Sequence, residues 1–146
     1  SGPAWLYDSR WAMLAVVMMS LWAGFGTNMM IFLSGLKGVS QSLYEAARVE
    51  GANRWQIFTH ITWPSISKTT FLVTTMLIIS SFQVFDQAFI LTRGGPGNAT
   101  ITLVYYIYNN GFNNLNMGYA SSISMVLFLI ILVFSVLNTR LNNADI

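Results

Sequence analysis

Three stretches of this sequence carry no charged side chain: residues 11–36, 69–85 and 94–139. In helical form, about 20 apolar residues traverse a hydrocarbon core of about 30 Å. The first stretch supplies such a span over residues 11–33. The second is shorter and richer in Thr and Ser, and it completes a span over 66–90 only if its helix runs on through Asp86 to about Ile90. The third cannot be one helix, because its first half is full of Gly, Asn and Tyr. Its second half, 117–137, contains an unbroken apolar run over 125–134 and forms the third span. A helix pairs its backbone N–H and C=O groups within the segment, as a lipid surround requires. The expected fold is therefore an all-α membrane protein with three transmembrane helices.

Composition agrees with lipid as the solvent: only 8% of the residues are charged, against about a quarter in soluble domains. The seven cations are scattered and the net charge is +2, so no nucleic-acid surface is indicated. The chain has no cysteine, which removes disulfides and thiolate chemistry. The single histidine, His60, has only Glu45 and Glu50 near it in sequence, and it reads as solvent-facing or capping rather than a metal ligand. No metal and no cofactor are expected. The opening Ser1-Gly2-Pro3 has neither an initiator methionine nor the features of a signal peptide, and a fragment of something longer is expected.

The cations also orient the spans. Lys37, Arg48, Arg54 and Lys68 lie between spans one and two and Arg140 follows span three, whereas the opposite side has only Arg10 and Arg93. The positive-inside bias places the 34–65 loop and the C-terminal tail in the cytoplasm. The N-terminus and the 91–116 loop then face out.

The cytoplasmic loop reads as a helix–Gly–helix elbow. Ser42 and Glu45 stand at capping-box spacing, good helix formers follow, and Gly51 sits where a helix ends in a left-handed residue. Asn53 and Gln56 repeat the capping pattern, Trp55, Ile57, Phe58 and Ile61 give the second helix an apolar face, and Pro64 stops it. Two uses fit such an elbow: lying on the membrane interface, or docking into a groove on a soluble partner. Small side chains at Ala46 and Ala47 allow close approach.

Glu45-Ala46-Ala47, three residues, Gly51, nine residues, then Ile61 and Pro64 resembles the EAA motif of permeases in binding-protein-dependent ABC importers, EAA-x3-G-x9-I-x-LP. Every fixed position matches except the leucine, which here is Trp63. The resemblance implies that Glu45, Ala46, Ala47, Gly51, Ile61 and Pro64 form the coupling element held by a separate nucleotide-binding ATPase subunit. It further implies a second permease subunit, an extracytoplasmic substrate-binding protein and alternating access driven by ATP. This chain has no Gly-rich phosphate loop ending in Lys-Ser/Thr, so hydrolysis is expected in the partner and not here.

The outer half is similar to sugar-uptake permeases of the maltose and glycerol-3-phosphate type. Phe85-Asp86, Leu91-Thr92, Gly94-Gly95-Pro96, Thr102-Leu103, Tyr106, Tyr108 and the run 117–122 carry that likeness. Residues 94–97 must form a turn, and 101–108 suits an interfacial helix with its tyrosines at headgroup depth or a contact for the binding protein. Asp86 is the one acid placed within a span, which makes it a functional candidate by default, although near the outer end it could equally cap a helix or pair with Arg93. Trp22, Asn28, Gln83, Asp86 and Gln87 are the polar and aromatic candidates for a sugar pathway. Gly24 and Gly26 in span one read as ordinary packing glycines, common in membrane helices, with a bend or a close helix contact as the alternative.

The resemblance makes the chain the C-terminal part of a type I importer transmembrane domain in the bacterial inner membrane. The rival readings are a structural or assembly protein whose elbow lies on the lipid, or the same family with a phosphorylated polyol or peptide as cargo. An intramembrane enzyme is disfavoured, since the spans place no Ser/His pair, carboxylate dyad or metal cluster together.

Overall fold

The computed structural model describes residues 4–144, and its elements are all helical. They are α1 (Ser9–Lys37), α2 (Gln41–Val49), α3 (Arg54–Ile57), a π turn (Phe58–Thr62), α4 (Trp63–Ser65), α5 (Ser67–Phe82), α6 (Asp86–Leu91), α7 (Leu103–Tyr108), a second π turn (Asn109–Asn113) and α8 (Met117–Ala144). Three segments have the length and apolarity of a membrane crossing: Ser9–Lys37, Ser67–Leu91 and Met117–Arg140. They coincide with the three spans expected from the charge-free stretches. Ser1-Gly2-Pro3 lies outside the described residues.

Two compact units share the chain: one takes the residues up to Gly24 and those from Met76 onward, the other is Phe25–Thr75. In the first unit the buried side chains include Val16, Ala88, Thr100, Tyr105 and Leu127; in the second they are Ala47, Ile66 and Val73.

Helix α1 begins at Asp8, whose carboxylate accepts the Arg10 N–H at 2.9 Å while its carbonyl accepts those of Trp11 and Ala12. An acid at this end also complements the helix dipole. The helix continues unbroken past Gly24 and Gly26, and a Cβ on Gly26 would meet nothing within 4 Å. At Gly26 no close helix contact is made, in keeping with ordinary packing. The close approach lies lower, at Gly35 of the second unit, where a Cβ would fall 2.5 Å from Thr69 Oγ1 and 2.9 Å from its Cγ2.

The hydroxyl-rich second span is compatible with lipid because its side chains return their donors to the helix's own carbonyls. Thr70 bonds Ile66 O, Thr75 bonds Phe71 O, Ser80 bonds Leu77 O and Ser81 bonds Ile78 O. Such back-bonding competes with the ladder and bends helices. The span is accordingly not one helix through Asp86. Helix α5 ends at Phe82, residues 83–85 are irregular, and α6 restarts at Asp86. The break has a tertiary cause: Phe85 leaves the helical line (φ −131°, ψ −57°) to stack on Phe89 and meet Tyr108, each at 5.2 Å between ring centroids.

The Gly35–Thr69 approach yields a test. Gly35→Ala is expected to cost about 1–3 kcal/mol, the usual range for overpacking at a site that cannot give, because a β-branched threonine has few rotamers to retreat into. Thermal unfolding in detergent should show the lowered midpoint. Adding Thr69→Ala, which removes the two shortest contacts, should recover part of it; equal losses in the single and double variants would refute the packing argument.

Candidate functional site

The elbow is the most sharply built part of the second unit. Helix α2 starts two residues earlier than the Ser42–Glu45 capping box requires. Ser40 is the N-cap and makes no side-chain cap bond, Ser42 bonds Ser40 Oγ at 2.7 Å, and the Glu45 carboxylate accepts from Gln41 Nε2 at 2.9 Å. That box is absent because Gln41, already helical, satisfies Glu45 from one turn back.

The end of α2 follows expectation. Gly51 has φ +82°, its N–H donates to Arg48 O at 3.1 Å and the Ala52 N–H donates to Ala47 O at 2.9 Å. Those two bonds are the Schellman closure, and the left-handed residue they need is tolerated best as glycine. Two residues later the expected second box is present in full. Asn53 Oδ1 accepts the Gln56 N–H at 2.9 Å and Gln56 Oε1 accepts the Asn53 N–H at 2.8 Å. One helix is closed and the next opened within residues 50–53.

The second arm differs from expectation at Pro64. The helix does not stop there but passes through and ends at Ser65, with Ile66 as its C-cap. Ahead of the proline the ladder widens, and the Trp63 N–H reaches Phe58 O, five residues back. After this widening Pro64 occupies the first turn of a new helical segment, where a missing N–H is tolerated. Tyr44 Oη pairs with Thr62 Oγ1 at 3.2 Å and ties α2 to the π turn. Pi turns of this kind frequently mark functional positions.

The sequence-derived site residues are therefore gathered on one small structure. Ala47 is buried and holds the arms together, Ile61 is half-buried, and Glu45, Ala46, Gly51 and Pro64 are exposed. A Cβ on Gly51 would meet nothing within 4 Å, so its constraint is the backbone angle alone. Ala47, Gly51, Gln56, His60 and Ile61 line an open concavity of about 440 Å³ on this elbow. A second, of about 590 Å³, is lined by Tyr44, Arg48, Ala52, Arg54 and Ile57. His60 is exposed, with Nδ1 at 3.1 Å from Gln56 O and 2.9 Å from Thr59 Oγ1. Among the described residues no group of three or more His, Cys, Asp or Glu stands where it could hold a metal.

Of the pathway candidates, Gln83, Asp86 and Gln87 come together at the break in the second span. Asp86 is exposed in the first turn of α6, where its charge suits the helix dipole, and α6 itself separates it from Arg93. Trp22 is 84% exposed in the first unit's part of α1, and Asn28 is half-buried in the second unit's part.

Sequence reasoning missed the lock behind that break. Thr100 is fully buried, bonded to Thr92 Oγ1 at 2.5 Å and to Gly95 O at 2.9 Å, while Thr92 also bonds Ala88 O. Tyr105 is buried as well, its hydroxyl donating to Arg93 O at 2.9 Å and its ring packing near Phe85 and Phe89. The 94–97 turn is as expected, with Gly94 at φ +84° and Gly97 at +56°. The interfacial helix shortens to Leu103–Tyr108 under a Thr102 cap, and Tyr105 is turned inward rather than toward headgroups. A Thr eight residues after another Thr, across a Gly-Gly-Pro-Gly turn, was the signal available.

Known proteins share this fold and much of this sequence. The chain is 37% identical over 141 residues to the arabinooligosaccharides transport system permease protein AraP of Bacillus subtilis (strain 168), covering 96% of this chain and 45% of that protein. It is also 37% identical over 136 residues to the sn-glycerol-3-phosphate transport system permease protein UgpA of Agrobacterium fabrum, covering 92% and 46%. The chain thus spans a little under half the length of these curated relatives. A chain of the crystal structure of a bacterial alginate ABC transporter, in complex with alginate pentasaccharide-bound periplasmic protein, shares the fold with a TM-score of 0.85 at 22% identity, over 99% of this chain and 51% of that one. The family described as binding-protein-dependent transport system inner membrane component matches residues 4–144, and the chain belongs to that family.

Proposed function

We propose that this chain is the C-terminal part of a permease subunit in an ATP-driven importer, and that its elbow couples it to the ATPase. The observation that carries the reading is the elbow itself. Glu45, Ala46 and Gly51 stand exposed on a knuckle closed by a Schellman motif and reopened by a capping box. Small exposed residues beside a short rigid helix suit insertion into a partner's groove. The positive-inside asymmetry puts this knuckle, with residues 34–65, on the cytoplasmic side where ATP is present. Hydrolysis belongs to separate nucleotide-binding subunits. A second permease subunit and an external binding protein complete the assembly, and the movement delivered by the elbow switches access from one side to the other.

For the cargo we propose a neutral carbohydrate. Relatives named for arabinooligosaccharides and for sn-glycerol-3-phosphate are equally similar at 37%, so overall likeness does not separate the two. The carbohydrate reading rests on the candidate pathway residues: Trp22, Asn28, Gln83, Asp86 and Gln87 offer an aromatic face, amides and a carboxylate, which suit hydroxyl groups.

Three outcomes test these readings in the full-length subunit within its assembled transporter. This chain has no cysteine, so Ala46→Cys gives it a single labelling site, and a crosslinker there should capture the nucleotide-hydrolysing subunit in intact cells. Capture of lipid alone would end the coupling reading and favour an interfacial elbow. Gly51→Asn separates docking from folding: asparagine tolerates a left-handed backbone better than other residues, and a Cβ at this position would meet nothing within 4 Å. Thermal stability should fall by about 1 kcal/mol, the low end of the cost of a non-glycine residue in the left-handed region, while ATPase association falls sharply. Asp86→Asn, at an exposed position, should leave stability within about 0.5 kcal/mol and reduce uptake of a neutral sugar; unchanged uptake would remove Asp86 from the pathway.

A further inference from the structure

The second arm of the elbow carries a ladder of exposed rings that the coupling reading does not use. Trp55 stacks on Phe58 at 5.8 Å between ring centroids (27° between planes), and Phe58 meets Trp63 at 6.3 Å (47°). All three remain open, at 69%, 43% and 55% exposure. The π turn is what brings Trp63 into line. In a regular α-helix a residue five positions on is rotated by about 140° from the first, so Trp63 would point away from Phe58. The widened turn, with Trp63 N–H bonded to Phe58 O, restores them to one face. Trp63 is also the position where the EAA pattern has leucine, so the one departure from that pattern supplies the third ring.

We infer that this ladder is a membrane-interface anchor that seats the elbow on a bilayer surface carrying anionic phospholipid. Two observations choose that occupant. The ladder ends directly at a span: Trp63 opens α4, Ile66 caps it, and the membrane-length segment begins at Ser67. Tryptophan at that depth has its apolar ring in the acyl boundary and its N–H among headgroups. Along the second arm and into the span that follows, the charges have one sign: residues 52–85 contain Arg54 and Lys68 but no Asp or Glu. Cations beside a membrane surface are drawn to anionic headgroups. The exposed carboxylates of the elbow, Glu45 and Glu50, belong to the other arm. The inference rests on membrane insertion and not on ATPase docking, so it stands or falls separately from the coupling proposal.

The experiment uses the full-length subunit reconstituted in vesicles of phosphatidylcholine, with or without phosphatidylglycerol, and reads the tryptophan emission lost on Trp63→Phe. That component should be quenched by phospholipids brominated high on the acyl chain and shielded from aqueous acrylamide. Its lipid quenching should rise with phosphatidylglycerol, and the rise should be lost in the Arg54→Gln, Lys68→Gln double variant. Trp63→Leu should keep the fold while losing the component. Acrylamide quenching without bromolipid quenching would overturn the anchor, and so would a lipid quenching indifferent to phosphatidylglycerol. Shielding that appears only when ATPase subunits are added would assign the ladder to that protein surface instead.

Discussion

A peptide group that loses its helical partner inside a membrane has no water to replace it, at a cost of several kcal/mol per group, and the long spans of this chain keep their ladders accordingly. Over α1 and α8 the ladder is continuous for 29 and 28 residues. Departures from it are each closed by something local. At residues 47–53 the closure is a Schellman pair followed by a capping box; at 83–86 it is a restarted helix with an acid in its first turn; at 92–100 it is a pair of threonines. Among the described residues no buried side-chain nitrogen or oxygen lacks a hydrogen-bond partner. At residues 53–56 and 92–100 polar side chains of the same chain bond the irregular backbone.

The same constraint accounts for the π turns. Each follows a short α segment and each ends by returning an N–H five residues back, Trp63 to Phe58 and Asn114 to Asn109. In the elbow this lets a proline be passed without a lost bond inside a continuous ladder, and it turns Trp63 onto the face of Phe58. Around Asn109–Asn113 it lets an asparagine-rich segment lie against α8, where a Cβ on Gly111 would come within 3.3 Å of Ala120. Side-chain packing chooses the wider turn, and the hydrogen-bond pattern follows.

The spans could be read from sequence because exclusion of charge from hydrocarbon is a one-dimensional signal. Gly51 and the Asn53–Gln56 box were equally legible, since cap chemistry acts over four or five residues. The failures came where distant residues decide. Phe85 breaks the second span to join Phe89 and Tyr108, and no periodicity reveals that. Tyr105 is buried by those same rings and by the Arg93 carbonyl rather than standing in an aromatic belt. The Ser42–Glu45 spacing was a local reading too, but a competing local partner, Gln41, took the carboxylate. Pro64 was read as a stop because an α-helix was assumed before it; with a π turn there the proline starts a segment.

The proposed coupling role requires stiffness more than affinity, and the elbow's construction bears on that. A force applied at Gly51 reaches the membrane only if the two arms do not flex about the glycine. The closing bond Ala52 N–H to Ala47 O and the opening pair between Asn53 and Gln56 leave no free residue between them. Farther out, Tyr44 Oη against Thr62 Oγ1 braces the first arm on the second. Ala47 is the one buried residue of α2, and a larger side chain there would wedge the arms apart. The positive φ at Gly51 is therefore a fixed corner rather than a hinge: the glycine permits the angle, and the bonds on either side of it hold the angle under load.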